Sequence, residues 1–455
     1  MINKAILASG VLCLNIMTVA PAFSQTATNI TVLKGLAPLT VLQQSTGGRA
    51  ALAANFTVTG GIQTGVIRQP TLLPFADQKL QALRDASITD GNLAQLADGL
   101  GTTLGAAYTA RAHYKDRTHF TNISQSLADL IAYTNATTRE DSNSAKYFFA
   151  NATIDGKTLV SNEAMTILKA IRGALDVFGN DYGRPAGSPG ADAFGNSRPF
   201  QTEARTAPIT GSDYFNVPAD NTVYNRGPIM DLTNSPSFPS GHTTYGYMGS
   251  VLLAVLVRER YQQMTVRAAE YGNSRILIGA HYAMDVLAGR TLAIYDLAHL
   301  LGNDPAYLGR ALKGAPMITD YQAALKLARA DLLAALQVGC GDTVQSCAKD
   351  DIGRFSDPAA NEAFYAVTQT YGLPVVYPQN AGTLEDVGKL APEAGYLLTT
   401  AFKTLTLEQA NRILTETEGP GGGFLDDGSP FGVYSRLNLY AASGRAAQLV
   451  GAKLQ

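Results

Sequence analysis

Charge is scarce in this chain of 455 residues: Asp, Glu, Lys and Arg make up only 16% of it, and the net charge is −2. Basic residues are scattered, and the clusters at residues 111–117 and 258–260 are too short to form a stripe. A surface built to release counterions from a nucleic-acid backbone is therefore excluded. Histidine is rare as well, at 5 residues, and cysteine rarer, at 3. Beyond the N-terminus no apolar run reaches the ~18–20 residues that cross a bilayer; the best, residues 251–257, stops at Arg258, Glu259 and Arg260. The glycine run at residues 419–423 lacks the Gly-Lys-Ser/Thr ending of a phosphate-binding P-loop and reads as a turn. There is no internal repeat and no low-complexity tail.

The N-terminus carries what the rest lacks. Lys4 precedes an apolar run over residues 5–20, and Ala22 and Ser24 suit the small-residue positions of signal peptidase cleavage. Residues 1–24 are expected to be a signal peptide, and the mature protein to be exported, periplasmic or secreted, with no stable membrane span. Cleavage removes Cys13 and leaves Cys340 and Cys347. An isolated near pair in an exported chain reads as one disulfide; a metal site is the alternative, but no histidine lies nearby.

Residues 25–76, rich in Thr, Val and Gly, suggest an irregular arm or short strands. From Asp77 the apolar spacing turns helical, as in Leu80, Leu83, Leu93, Leu96 and Leu100, then Leu127, Leu130 and Ile131, then residues 162–178. The stretch 179–237, full of Gly, Pro, Asn and Asp, is too long for a passive connection and is expected to carry ligand contacts. Helices follow through residues 247–257, 264–271 and 286–300, and again over 321–336. The expected organisation is mainly α: an arm over 25–76, a helical domain over 77–302 and an extension over 303–455. Asp426 and Asp427 could bind calcium but read as a solvated pair.

Two blocks concentrate the chemistry: Ser237-Phe238-Pro239-Ser240-Gly241-His242, and the segment from Ser274-Arg275 to His281 and Asp285. Pro239 and Ser240 are helix-entry residues, which places Gly241 and His242 where free N–H groups and the dipole favour an anion. Arg275 adds a permanent cation. His281 and Asp285, four apart, share a helical face. His113, His119 and His299 stand outside any such group and read as structural.

Together the blocks resemble the second and third signatures of the type 2 phosphatidic acid phosphatase superfamily. The closest match within it is to the secreted class A bacterial acid phosphatases, and vanadium haloperoxidases share the site. The similarity extends over roughly residues 110–300. It implies a helical-bundle core and a metal-independent, cofactor-free hydrolase of small phosphomonoesters. His281 would be the nucleophile, Asp285 its orienting carboxylate and His242 the general acid and base. Arg198, Ser240, Gly241 and Arg275 would bind the phosphoryl oxygens.

One position departs from the pattern. The first signature places a lysine seven residues before Arg198-Pro199, where this chain has Ala191. Lys146, Lys157 or Arg184 are candidate replacements. Two alternatives follow: a vanadate-dependent haloperoxidase using the same histidines, and an exported phosphoanion-binding protein of weak catalysis. A homo-oligomer is compatible with either.

Overall fold

The computed structural model describes residues 26–87, 91–151, 162–175, 177–181, 196–202, 208–349 and 353–453. The expected leader, Ala191, Arg184 and Lys157 lie outside these residues.

The fold is mainly helical. In chain order come α1 (Ala27–Leu36), α2 (Thr46–Thr64), α3 (Phe75–Arg84), α4 (Thr102–Arg111), the 27-residue α5 (Gln125–Asn151) and α6 (Asn162–Ile171). Two short helices, α7 (Val177–Asp181) and α8 (Pro199–Thr202), lead to an antiparallel pair of strands. That pair, β1 (Thr210–Ser212) and β2 (Pro218–Asp220), aligns Gly211 with Ala219. Then follow α9 (Gly241–Leu256), α10 (Tyr261–Leu277), α11 (Ala283–Leu301) and α12 (Tyr321–Cys340).

At the centre, α9 packs on α10, α11 and α5. Every α9 residue from Thr243 onward is buried, as befits a helix apolar on all sides. Glycines set the spacing. A Cβ on Gly246 would fall 2.2 Å from the Tyr271 ring of α10, and one on Gly289 of α11 would fall 2.6 Å from Ser240 O. These two positions let the three helices approach closely.

Residues 27–64 correct the expectation of strands or an irregular arm. Ser45 caps α2 by accepting from Gly48 N–H at 2.9 Å, and Gly65 ends it in the left-handed region at φ 72°. Asn55, Thr59 and Gln63 form a buried stripe one turn apart along α2. Asn55 Oδ1 accepts from Met284 N–H at 2.9 Å and Thr59 Oγ1 from Ala283 N–H at 3.0 Å, while Gln63 Nε2 donates to Ile276 O at 3.0 Å. The orphan donors that open α11 are thus satisfied by α2. β-propensity lost to tertiary hydrogen bonding.

The C-terminal segment is largely helical, and its last helix, Leu439–Lys453, packs on α10. Cys340 and Cys347 are disulfide-bonded, as expected. Asp426, expected to be solvated, is instead buried: it accepts from Gly422 N–H and lies 3.8 Å from Arg436 Nη1. Among the described residues no helix is long and apolar enough to cross a membrane.

Arg267 of α10 joins distant segments. Its guanidinium meets Asp85 Oδ1 at 2.5 Å and Asp98 Oδ1 at 2.7 Å, and Arg354 reaches Asp98 at 2.7 Å and Glu270 at 2.6 Å. Removing one partner of such a pair strands the others without countercharge, typically by about 3–5 kcal/mol. Arg267→Met is expected to lose stability on that scale in urea unfolding. A loss below about 1 kcal/mol would show that the network is not holding these segments together.

Candidate active site

The two signature blocks meet where α9 and α11 begin. Ser240 N–H donates to Asp285 O at 3.0 Å, and Ser240 Oγ caps α9 by accepting from Thr243 N–H at 3.0 Å. Gly241 and His242 line a cavity of about 550 Å³, and their own N–H groups make no hydrogen bond among the described residues. They are the free donors of a helix N-terminus.

His281 is fully buried just ahead of α11. Its Nδ1 lies 3.4 Å from Asp285 Oδ2 and 3.3 Å from Ser237 Oγ. Asp285 Oδ2 also accepts from Ser237 Oγ and, at 2.8 Å, from Tyr282 N–H. A proton on Nδ1 satisfies this side and leaves the Nε2 lone pair on the other. Nε2 lies 2.8 Å from His242 Nδ1 and 3.0 Å from Arg198 Nη1, both able to donate to it.

Arg198, fully buried, is oriented by main chain. Nε donates to Ser235 O at 2.7 Å, Nη1 to Ala280 O at 2.9 Å, and Nη2 to Ser235 Oγ at 3.1 Å and Pro236 O at 3.2 Å. Phe200 N–H bonds Gly279 O at 3.0 Å and seats the Arg198 segment against the turn before His281.

Of the residues expected from sequence, His281, Asp285, His242, Gly241 and Arg198 converge here. Ser240 is buried and acts as a helix cap beside the cavity. Arg275 stands a layer behind, outside the cavity lining: Nη2 donates to Ala82 O at 3.2 Å, the guanidinium lies 4.7 Å from the Tyr271 ring centre, and Nε has no partner among the described residues. Sequence reasoning overlooked Ser235, Met230 and the wall that α5 contributes. Asn135, Ser142 and Lys146 lie on one face of α5 and line the cavity, a polar stripe visible in sequence at i, i+7 and i+11. Of the candidate cations, Lys146 is the described one that reaches the site. His299, expected to be structural, pairs with Asp304 Oδ2 at 2.7 Å and stacks on Tyr307.

The cavity lining holds Arg117, Arg139, Lys146 and Arg198 and no carboxylate. Burial, then Arg198, then the neighbouring His242, Lys146 and Arg275 hold His281 well below the ordinary histidine range. Burial and the charges of Arg198, Arg275, Lys146 and Arg117 do the same to His242. Burial pushes Asp285 up to about 6 against the opposing Ser237 and Tyr282 hydrogen bonds, and pulls Lys146 down to about 7 with help from Arg198. Among the described residues, no three His, Cys, Asp or Glu side chains gather as a metal site.

Residues 186–301 match the PAP2 superfamily. The chain is similar to the non-specific acid phosphatase of Salmonella typhimurium, 41% identical over 69 residues, which is 15% of this chain and 28% of that protein. It is also similar to the acid phosphatase of Zymomonas mobilis, 34% identical over 87 residues, 19% of this chain and 33% of that one. A third relative, the non-specific acid phosphatase of Providencia stuartii, is 35% identical over 72 residues, 16% of this chain and 29% of its own length. The matches thus span a third or less of the relatives' length.

Both site histidines are expected to be neutral in the ligand-free protein at pH 6. Nitrogen-15 imidazole spectra, assigned with His281→Gln and His242→Gln, measure this directly; an imidazolium pattern for His281 at pH 6 would contradict the electrostatics above.

Proposed function

We propose that the protein is a metal-independent acid phosphatase that hydrolyses small phosphomonoesters through a phosphohistidine. The observation that carries this reading is the His281 Nε2 lone pair, which faces His242 and Arg198 on the wall of a cation-lined cavity while Nδ1 faces a buried carboxylate. A tetrahedral phosphoryl group does not fit inside the 2.8 Å contact between the histidines, so substrate displaces the His242 ring and takes its place against Nε2.

In the first step Nε2 attacks phosphorus; the P–N bond forms as the ester P–O bond breaks, and His242 gives its proton to the leaving oxygen. Asp285 accepts from Nδ1–H and balances the charge that His281 gains. In the second step water attacks phosphorus, His242 takes the water's proton, and the P–N bond breaks to release phosphate. General acid–base catalysis of this kind contributes roughly 10²–10⁴ in rate. His242 must be protonated to act first, although burial and then the fixed cations depress it. A bound phosphate dianion offsets those cations and raises it, and low pH helps in the same direction. Arg198 and the α9 N–H groups stabilise the equatorial oxygens, with Arg275 contributing charge from behind.

Export completes the reading. The apolar N-terminal run and the Cys340–Cys347 disulfide both suit a protein that works outside the reducing cytosol.

Hydrolysis of p-nitrophenyl phosphate at pH 5–6 is expected to survive EDTA, to be inhibited by vanadate and to fall to background in His281→Ala. Acid-labile, base-stable phosphate on the wild-type protein after rapid quench marks the intermediate. Loss of activity in EDTA would end the metal-independent mechanism, and bromide oxidation by peroxide with added vanadate would favour haloperoxidase chemistry instead.

A further inference from the structure

The reaction above leaves one wall of the cavity unused. Helix α5 sends Lys146, Ser142 and Asn135 into it from one face, since positions 4 and 11 residues apart return to the same side of a helix. The three side chains are deeply buried, at 8%, 1% and 9% exposure respectively. Lys146 makes no hydrogen bond or ion pair among the described residues, and Ser142 Oγ and Asn135 Nδ2 are buried without a partner. Burying polar groups unpaired is unfavourable, and natural cores avoid it unless a ligand or water completes them.

Their placement is specific. The point where a side chain would begin on Gly241 lies 3.5 Å from Lys146 Nζ and 3.6 Å from Ser142 Oγ. Lys146 and Ser142 thus stand beside the free N–H groups that open α9, the same anion-favouring end that His242 faces. Asn135 lies two turns before Ser142, roughly 10 Å along the axis at 1.5 Å per residue. Across from this stripe the cavity presents apolar Met230, Leu232 and Met248 together with Tyr245.

We propose that α5 is the substrate wall of this site: Lys146 and Ser142 hold phosphoryl oxygens beside Gly241, and Asn135 hydrogen-bonds the far end of a leaving group about 10 Å long. The proposal rests on the phosphatase reading and adds residues and a substrate shape to it. Substrates with an apolar face and a distant acceptor atom fit this wall; short or featureless ones reach only its Lys146 end. Lys146 also answers the departure at Ala191, because a cation delivered by α5 replaces one delivered by the loop before Arg198.

The test compares adenosine 5′-monophosphate, a long polar ester, with phenyl phosphate, a short apolar one. Lys146→Met is expected to lower kcat/KM on both by about 10–150-fold, the range for a hydrogen bond to a charged group. Vanadate inhibition should weaken in parallel, and Lys146→Arg should recover part of both. Asn135→Ala is expected to lower the ratio of kcat/KM for the long ester over the short one by about 2–12-fold, the range for a neutral hydrogen bond. Unchanged thermal unfolding separates these effects from misfolding, and Lys146→Gln serves where Met does not fold. If wild type cleaves both esters and His281→Ala is inactive, while Lys146→Met keeps full kcat/KM and vanadate affinity, the wall proposal is overturned and the phosphatase reading stands. An unchanged ratio in Asn135→Ala overturns the leaving-group half. A wild type inactive on both esters removes the phosphatase reading itself.

Discussion

Asp285 binds the two halves of the site through both its main chain and its side chain. Its carbonyl accepts from Ser240 N–H at 3.0 Å, which pins the first turn of α9 to the first turn of α11. Its carboxylate accepts from Ser237 Oγ and Tyr282 N–H and faces His281 Nδ1. Because one residue makes all these contacts, the His281 ring cannot turn without disturbing the start of α9. The absence of a side chain at Gly289 allows the approach, since a Cβ there would overlap Ser240 O. Nε2 therefore points at the α9 N-terminus as a consequence of packing, before any ligand arrives.

Around this joint the charges are deliberately unbalanced. Four cations and no carboxylate line the cavity, while Asp285 is engaged with His281 and its neighbours. Burial first, and then the excess of positive charge, opposes protonation here, and His242, His281 and Lys146 are all depressed. The sign matters for stability. A lysine pulled down to about 7 from its ordinary value near 10.5 is disfavoured in its charged form when folded, so the penalty is greatest at and below neutral pH and is relieved as pH rises through 7 to 10. An anion in the cavity relieves the same penalty at acid pH by supplying the missing countercharge.

How much of this could be read from sequence depended on locality. The capped start of α9 is a local pattern, and the structure places it as the sequence implies; His281, expected to share a helical face with Asp285, instead precedes α11, and its Nδ1 still lies 3.4 Å from Asp285 Oδ2. Arg275 belongs to the same signature yet sits behind the cavity, because its direction is set by α3 through Ala82 O and by the Tyr271 ring, neither of which its own block reveals. Lys146 comes from a helix more than fifty residues before Arg198. Sequence could name it only as one of several cations until packing brought α5 against α9. Residues 27–64 show the opposite failure: Thr, Val and Gly suggested strands, but Asn55 and Thr59 gain more by capping α11 than their propensities forfeit.

The C-terminal segment, for which sequence suggested no role, bears on the site through α10. Ala280 and His281 both donate their N–H groups to Arg275 O, at 3.0 and 3.2 Å, so the end of α10 fixes the turn that presents His281. That helix is held along its length from outside the PAP2 stretch: by Asp85, Asp98 and Arg354 in one ion-pair network, and by the packed Leu439–Lys453 helix. Arg354 closes the network by pairing with Glu270, which would otherwise share Arg267 with two aspartates. Without the segment, the α10 surface now covered by the last helix would meet water, and Asp85, Asp98 and Glu270 would compete for one guanidinium. The segment thus reaches the site through packing: it contacts α10, and the end of α10 accepts the Ala280 and His281 N–H groups.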